Sequence, residues 1–382
     1  MYDWLLYTST DLVNWTDHGA VASLRDFKWR SRDNGAWAIQ TVTRNGKYYL
    51  YAPLHGHGIG VLVADSPYGP FRDPLGEPLV WQQEHWDDID PTVFIDKDGQ
   101  AWMYWGNPNT YYVKLSKDMI HTEGDIVKLD YHIEHYQEGP WLYERGGHWY
   151  LAYASTCCPE GLGYAMADSP TGPWQSRGYI MAPTPRDRGN HPGIMDFKGK
   201  SYVFGQNYDL LHHETREHFE RRSVSLAEMH YNADGTIQEV PYWLDLRLPE
   251  PAGTLNPYRR VEAETMAWGY GLRTRPTPLP LPVREGSGHH STAEGKSASQ
   301  THSAPLPHRE GQGGRSVIDN LFPFSTGKQN LYVYDLNAGE YIRLRAVDFG
   351  KKAPGSFQLT AAAGENASAS ISLHLDNPGG PL

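Results

Sequence analysis

One pattern recurs four times along the chain and narrows its possible folds more than any other feature. A turn glycine followed by a Tyr/Trp-rich alternating run occurs at Gly46-Lys-Tyr-Tyr-Leu-Tyr51, Gly99-Gln-Ala-Trp-Met-Tyr-Trp105, Gly147-His-Trp-Tyr-Leu-Ala-Tyr153 and Gly199-Lys-Ser-Tyr-Val-Phe204. The glycines are spaced 53, 48 and 52 residues apart. Each lies in an Asn-Gly, Asp-Gly, Gly-Gly or Lys-Gly pair between two apolar runs, a strong local signal for a β-hairpin. A second marker returns after two periods, as Asp65-Ser-Pro-Tyr-Gly-Pro-Phe71 and Asp168-Ser-Pro-Thr-Gly-Pro-Trp174. About fifty residues of β-structure is the size of one four-stranded propeller blade. Residues 1–248 are therefore expected to form an all-β propeller. A β-sandwich also spaces its strands regularly, but four phased copies of one aromatic hairpin argue against it.

Composition excludes several functions. Lys and Arg number 34 against 45 Asp and Glu, a net charge of −11, and no basic run exists that could neutralise phosphates, so nucleic acid is not an expected partner. No stretch of about 18 apolar residues suggests a membrane span, and the first residues carry no signal-peptide pattern. The two cysteines, Cys157 and Cys158, are adjacent, which rules out a disulfide framework and argues against a Cys-based zinc site. They are read as structural, with a vicinal disulfide open to them. The 13 Trp and 25 Tyr supply side chains that stack and hydrogen-bond at once.

The innermost strand of each repeat leads into its hairpin, and its start faces the mouth of the central channel, where repeated folds gather their chemistry. Nine residues before the first three glycines stand Trp37, Asp90 and Glu138, and eight before Gly199 stands His191. Two carboxylates, a histidine and an aromatic would converge on one pocket. Paired carboxylates beside aromatic walls suit glycoside hydrolysis, in which one acid protonates the leaving oxygen and another group activates water or attacks. The plainer alternative is that Asp-Pro and Glu-Gly-Pro are turn-forming sequences with solvated carboxylates.

From Trp4 to about Asp245 the chain resembles glycoside hydrolase family 43. The likeness rests on Tyr7-Thr-Ser-Thr-Asp-Leu-Val-Asn-Trp15, Asp65 to Phe71, Ile89-Asp90-Pro-Thr-Val-Phe-Ile-Asp96, Tyr104-Trp-Gly106, Glu138-Gly-Pro-Trp141 and Asn190-His191-Pro-Gly-Ile194. The resemblance implies a five-bladed propeller and an inverting β-xylosidase or α-L-arabinofuranosidase with three acids. Asp90 matches the acid that tunes pKa and orients the sugar, and Glu138 matches the general acid. Asp90 would keep Glu138 protonated near neutral pH, because a nearby carboxylate raises its neighbour's pKa. A histidine in the place of His191 lies near the channel axis and holds calcium or an ordered water. No cofactor is required, calcium being the one candidate ion.

The family's base lies just before the first-blade hairpin, which the repeat phase puts upstream of Met1. The first blade is thus expected to be incomplete and the base absent, since Asp3 and Asp11 lack its sequence context. Such a chain is expected to hydrolyse weakly or not at all. Further substrate contacts are expected at Trp37, His57, His85 and Trp86. His55-Gly-His57 has metal-like spacing, though histidines on a glycine loop more often serve as hydrogen-bonding groups at a pocket rim.

Beyond Pro249 the character changes. Residues 249–273 read as a linker and the start of a new unit, in which Asn256 to Trp268 resembles the opening of a family 6 carbohydrate-binding module, a jelly-roll β-sandwich. That resemblance implies a structural calcium at Glu262 and Glu264. Between Tyr270 and Phe322 there is no aromatic residue, and Pro280-Leu-Pro-Val-Arg-Glu-Gly286 is echoed at Pro305-Leu-Pro-His-Arg-Glu-Gly311. Residues 274–314 therefore read as a disordered, low-complexity insertion, and 315–382 as the rest of a partial module. The expected activity is release of arabinofuranose or xylose from arabinoxylan, xylan or arabinan. The alternatives are a non-catalytic glycan-binding fragment and an interaction propeller of the WD type. A polysaccharide substrate implies an extracellular or periplasmic location.

Overall fold

The computed structural model describes residues 2–29, 35–54, 56–82, 87–186, 188–208, 223–245, 250–270, 272–276, 331–334, 337–351, 354–359, 361, 370–376 and 379–380. The fold is all-β. Among the described residues the helical content is two short 3-10 turns, Leu24–Asp26 and Trp243–Asp245.

Five antiparallel sheets follow one another along the chain. Sheet one holds β1 (Asp3–Thr8) and β2 (Trp15–Ser23); sheet two holds β3 (Gln40–Arg44), β4 (Lys47–Pro53) and β5 (Ile59–Ala64). Sheet three runs in order through β6 (Thr92–Ile95), β7 (Ala101–Trp105), β8 (Tyr111–Leu115) and β9 (Thr122–Lys128). Sheet four is β10 (Tyr136–Arg145), β11 (His148–Ser155), β12 (Glu160–Ala167) and β13 (Gln175–Thr184); sheet five is β14 (Gly193–Phe197), β15 (Lys200–Asn207) and β16 (Ser223–Met229). The four repeated glycines sit in the turns β3–β4, β6–β7, β10–β11 and β14–β15. Three of these are two-residue hairpins, closed by Arg44↔Lys47, Arg145↔His148 and Phe197↔Lys200. Both central residues have positive φ, as at Asn45 (52°) and Gly46 (75°), which matches the right-handed twist of the flanking strands. The fourth hairpin is wider and is built by Asp96, whose Oδ1 accepts the N–H groups of Asp98 and Gln100.

Aromatic residues fill the space between sheets, and buried tyrosines spend their hydroxyls on backbone carbonyls of the neighbouring sheet or its loops. Tyr51 Oη donates to Met119 O at 2.7 Å, Tyr104 Oη to Pro170 O at 2.6 Å and Tyr136 Oη to Gly106 O at 2.7 Å. Tyr150 Oη donates to Gly235 O at 2.7 Å. A buried hydroxyl without a partner costs free energy, so these bonds let tyrosine serve as core. Sheet one meets sheet two where Trp4 Nε1 donates to Trp37 O at 2.8 Å, and meets sheet five where Trp15 packs edge-on against Phe204.

The inner strands of sheets two, three and four are tied by one buried relay. Thr92 Oγ1 donates to Gln40 Oε1 at 2.8 Å, Val93 N donates to the same oxygen, and Leu142 N donates to Thr92 Oγ1 at 3.1 Å.

The tail is not detached from the sheets. β17 (Thr265–Met266) adds a third strand to sheet one beside β2, with Thr265 opposite Thr16 and Met266 opposite Trp15. The Asn14 amide pairs with the backbone of Arg345 in both directions, at 2.7 and 2.9 Å. Two further two-stranded sheets join β18 (Trp268–Tyr270) to β21 (Tyr341–Arg343), and β19 (Arg273–Pro276) to β20 (Leu331–Tyr334). Residues 274–276, read from sequence as the start of an insertion, thus lie in a strand, while 277–314 fall outside the described residues. Apolar Phe357, Leu359, Ile371, Leu373 and Leu375 are exposed.

Two measurements test this reading of the fold. Replacing Thr92 by Val removes the acceptor of the buried Leu142 N–H, a loss of about 1–3 kcal/mol. The urea midpoint should fall in the order Thr, Ser, Val; a Val variant as stable as the Ser variant would show that the relay contributes nothing. Asp26 caps the 3-10 turn by accepting the N–H of Ser23 at 2.8 Å. Burial first, with the Asp3 carboxylate adding, pushes its carboxyl up to about 6. The native state therefore holds this proton to higher pH than the unfolded chain, so the contribution of Asp26 to stability falls as pH rises from about 4 to about 6. An Asp26→Asn variant should gain on the parent between pH 4 and pH 7; an equal difference at both pH values would contradict this.

Candidate active site

The three polar residues at matching positions of the repeat meet. Asp90, Glu138 and His191 each offer an atom within 4.8 Å of the others, and His191 Nε2 stands 3.4 Å from Glu138 Oε1 and 3.8 Å from Asp90 Oδ2. Asp90 is buried, while the side chains of Glu138 and His191 keep 23% and 24% of their exposure, so the cluster opens to solvent on one side. Each residue lies at the start of, or just before, the first strand of its sheet.

Asp90 is placed by the two acids before it. Asp88 accepts from Gln82 N, Gln82 Nε2 and Trp105 Nε1, at 2.6, 3.0 and 3.1 Å. Asp87 accepts from Asn109 Nδ2 and Tyr111 Oη, both at 2.7 Å. With its approach pinned on both sides, Asp90 takes a φ of 57°, a left-handed conformation that non-glycine residues seldom hold.

Glu138 is aimed by a distortion of β10. Pairing with β11 slips between Tyr136 and Glu138 and again between Glu138 and Trp141, and such bulges redirect side chains beside active sites. Asn107 Nδ2 donates to Glu138 Oε2, and Gln137 Nε2 holds Asn107 Oδ1 at 2.9 Å. Gly139, with a φ of 60°, lets the His191 ring lie against the backbone, since a Cβ there would come within 2.6 Å of the ring.

His191 rides on a loop held by a residue that sequence reasoning missed. The buried carboxylate of Glu160, at the start of β12, accepts the N–H of Gly189 at 2.8 Å and of Asn190 at 2.6 Å. Gln206 closes the other side, its Nε2 donating to Gly189 O at 2.5 Å and its N–H to Asn190 Oδ1 at 2.9 Å. Burial raises the Glu160 carboxyl above its usual range; the two N–H groups and His191 oppose that rise and Glu138 adds to it. No repeat phase marks Glu160. The available signal was an acid opening an otherwise fully buried strand. The turn before it carries a disulfide between Cys157 and Cys158.

Other expected residues are dispersed. Trp37 is 38% exposed and precedes β3. His57 sits in the turn between β4 and β5, its N–H donating to Leu54 O at 2.6 Å. His55, His85 and Trp86 lie outside the described residues. Asp11 builds a turn, its Oδ1 accepting from Val13 N and Asn14 N at 2.9 and 2.7 Å, and Asp3 pairs with Ser23 in sheet one. Glu262 is bound by Arg260 at 2.9 Å, and burial raises the carboxyl of neighbouring Glu264. Among the described residues, Asp90, Glu138 and His191 form the one group of three or more close metal-type donors. Calcium prefers six to eight oxygens, so an imidazole with two carboxylates fits it poorly.

Comparison with known proteins gives the family. Residues 2–237 match the family described as Glycosyl hydrolases family 43. An arabinoxylan arabinofuranohydrolase of Paenibacillus polymyxa is 29% identical over 98% of this chain and 58% of its own length. One from Bacillus subtilis is 31% identical over 68% of this chain and 58% of its own. The chain thus spans under two thirds of each of these relatives. Among solved structures, an α-L-arabinofuranosidase from Clostridium thermocellum is 39% identical, with a TM-score of 0.56 over 63% of this chain and 83% of its own. A Bacillus subtilis arabinoxylan arabinofuranohydrolase in complex with cellotetraose is 30% identical, with a TM-score of 0.62 over 72% of this chain and 65% of its own. The match of the family over most of sheets one to five makes this chain a member of glycosyl hydrolases family 43.

Proposed function

We propose that the chain is an inverting glycoside hydrolase that removes arabinofuranose or xylose from arabinoxylan-like plant polysaccharide. The observation that carries this reading is the meeting of Asp90, Glu138 and His191 at the starts of three successive inner strands. Glu138, partly open to solvent and braced by Asn107, donates the proton to the leaving oxygen. Asp90 is the tuning and orienting acid rather than the base. Inverting enzymes separate acid and base carboxyls by about 6.5–9.5 Å to admit a water, whereas these two lie within 4.8 Å.

The five sheets are read as blades of one propeller. Support comes from contacts that join each sheet to the next, with Arg145 of sheet four bound to Asp196 of sheet five, and sheet five to sheet one. The tail is read as part of a carbohydrate-binding module. Trp37 and His57 are read as substrate contacts, and the reaction needs no cofactor. A polymeric substrate places the protein outside the cell or in the periplasm.

The second reading is a chain that binds glycan and turns it over weakly or not at all. Release of pentose from arabinoxylan and from an aryl arabinofuranoside or xyloside separates the two. Turnover should fall about 10²–10⁴-fold in Glu138→Gln on arabinoxylan, and less on an aryl glycoside whose phenol leaves without a proton donor. Equal losses on both substrates would remove Glu138 from the acid role. Sugar binding by a folded parent chain without release would establish the second reading.

Glu160 supplies a separate check. Glu160→Leu leaves two buried N–H groups without an acceptor, each at a cost of about 1–3 kcal/mol. The variant should melt lower and lose activity, with Glu160→Gln intermediate because one carbonyl oxygen remains. A Leu variant as stable and active as the parent would show that the loop carrying His191 is held by other contacts.

A further inference from the structure

We propose that Trp81 is a stacking platform for the polysaccharide main chain, outside the pocket that holds the scissile pentose; this rests on the glycosidase reading above. Trp81 is 54% exposed, more than Trp268 at 49% and Trp37 at 38%, whereas Trp4, Trp102, Trp105, Trp149, Trp174 and Trp243 are all buried. An exposed indole on a floppy loop would signify little, but the residues on either side of this one are fixed. Val80 is buried and bridges to Ile59, with Ile59 N donating to Val80 O at 2.8 Å and Val80 N to Ile59 O at 3.1 Å. Gly58, at a φ of 89°, is pressed so close that a Cβ there would lie 2.1 Å from Val80 O. On the other side, Gln82 donates through its backbone and its side chain to Asp88, two residues before Asp90.

Position follows from register. Gln40 and Thr92 begin adjacent inner strands and are bonded to each other, so these strands start at the same end. In sheet two, Pro53 pairs with Ile59 and Ile59 bridges to Val80, which puts the turn holding His57 and the outward edge holding Trp81 at that end too. An anchored, solvent-facing indole offers a flat apolar surface at low entropy cost. The matching ligand surface is the axial C–H face of a pyranose in an extended β-linked xylan chain. The platform lies away from the reacting bond and binds ground state and transition state equally, so it should act on KM for polymer and leave kcat alone.

The test compares Trp81→Ala and Trp81→Phe with the parent on arabinoxylan and on an aryl arabinofuranoside, with circular dichroism as a check of folding. Titration of xylohexaose into Glu138→Gln, with and without Trp81→Ala, gives a second readout that needs no turnover. Trp81→Ala should raise KM for arabinoxylan roughly tenfold, leave the aryl substrate within about twofold, and weaken xylohexaose binding similarly, while Trp81→Phe retains most of the function. Parallel losses on both substrates, or no loss on the polymer, would overturn the platform. If the parent turns over neither substrate, the glycosidase reading fails and binding alone decides. Xylohexaose binding that depends on Trp81 then retains the platform; binding unchanged by Trp81→Ala, or no binding at all, overturns it.

Discussion

The buried hydroxyl of Thr92 couples sheets that share no backbone ladder. By giving its proton to Gln40 and accepting the N–H of Leu142, it fixes the inner strands of sheets two, three and four relative to one another. The candidate site residues stand close to these contacts in the chain: Trp37 lies three residues before Gln40, Asp90 two before Thr92 and Glu138 four before Leu142. A shift of the relay would move all three together. Polar contacts of this kind are costly to leave unmade in a core, so the relay specifies geometry as well as adding stability.

The aromatic core extends the same logic outward. Leucine or valine could fill the gaps between sheets, but would give no directional contact to set one sheet's height against the next. Tyr51, Tyr104, Tyr136 and Tyr150 each fill volume with a ring and end in a hydroxyl bonded to a carbonyl on the adjoining sheet or its loops. Tyr136 does so beside the Asp90–Glu138–His191 cluster, since its partner Gly106 also donates its N–H to Ile89 O, next to Asp90.

Much of this was readable from the chain because a period survives in sequence. Hairpin glycines with fixed offsets located Asp90, Glu138 and His191 before any contact was known, as each occupies the same phase of a repeated unit. Glu160, Asn107 and Gln206 were not readable that way. They come from different strands and loops, carry no repeated offset, and matter through backbone groups far along the chain, as Glu160 does through residues 189 and 190. In the tail, composition shows where aromatic content ends, but cannot show that Thr265–Met266 would pair with β2 or that Asn14 would grip Arg345.

Three departures from local preference meet around His191. A non-glycine residue at positive φ (Asp90), a strand slipped twice in register (around Glu138) and a carboxylate desolvated beside two backbone donors (Glu160) all surround His191. Local strain persists only where surrounding contacts over-determine it, and here the contacts are in place: Asp87 and Asp88 for Asp90, Asn107 and Gln137 for Glu138, Gln206 for the loop carrying His191. A scaffold that held these groups only for its own stability would gain by relaxing each of them. Holding two carboxylates and an imidazole within 4.8 Å, partly open to water, is consistent with a site shaped for a ligand that must be oriented and protonated at one oxygen.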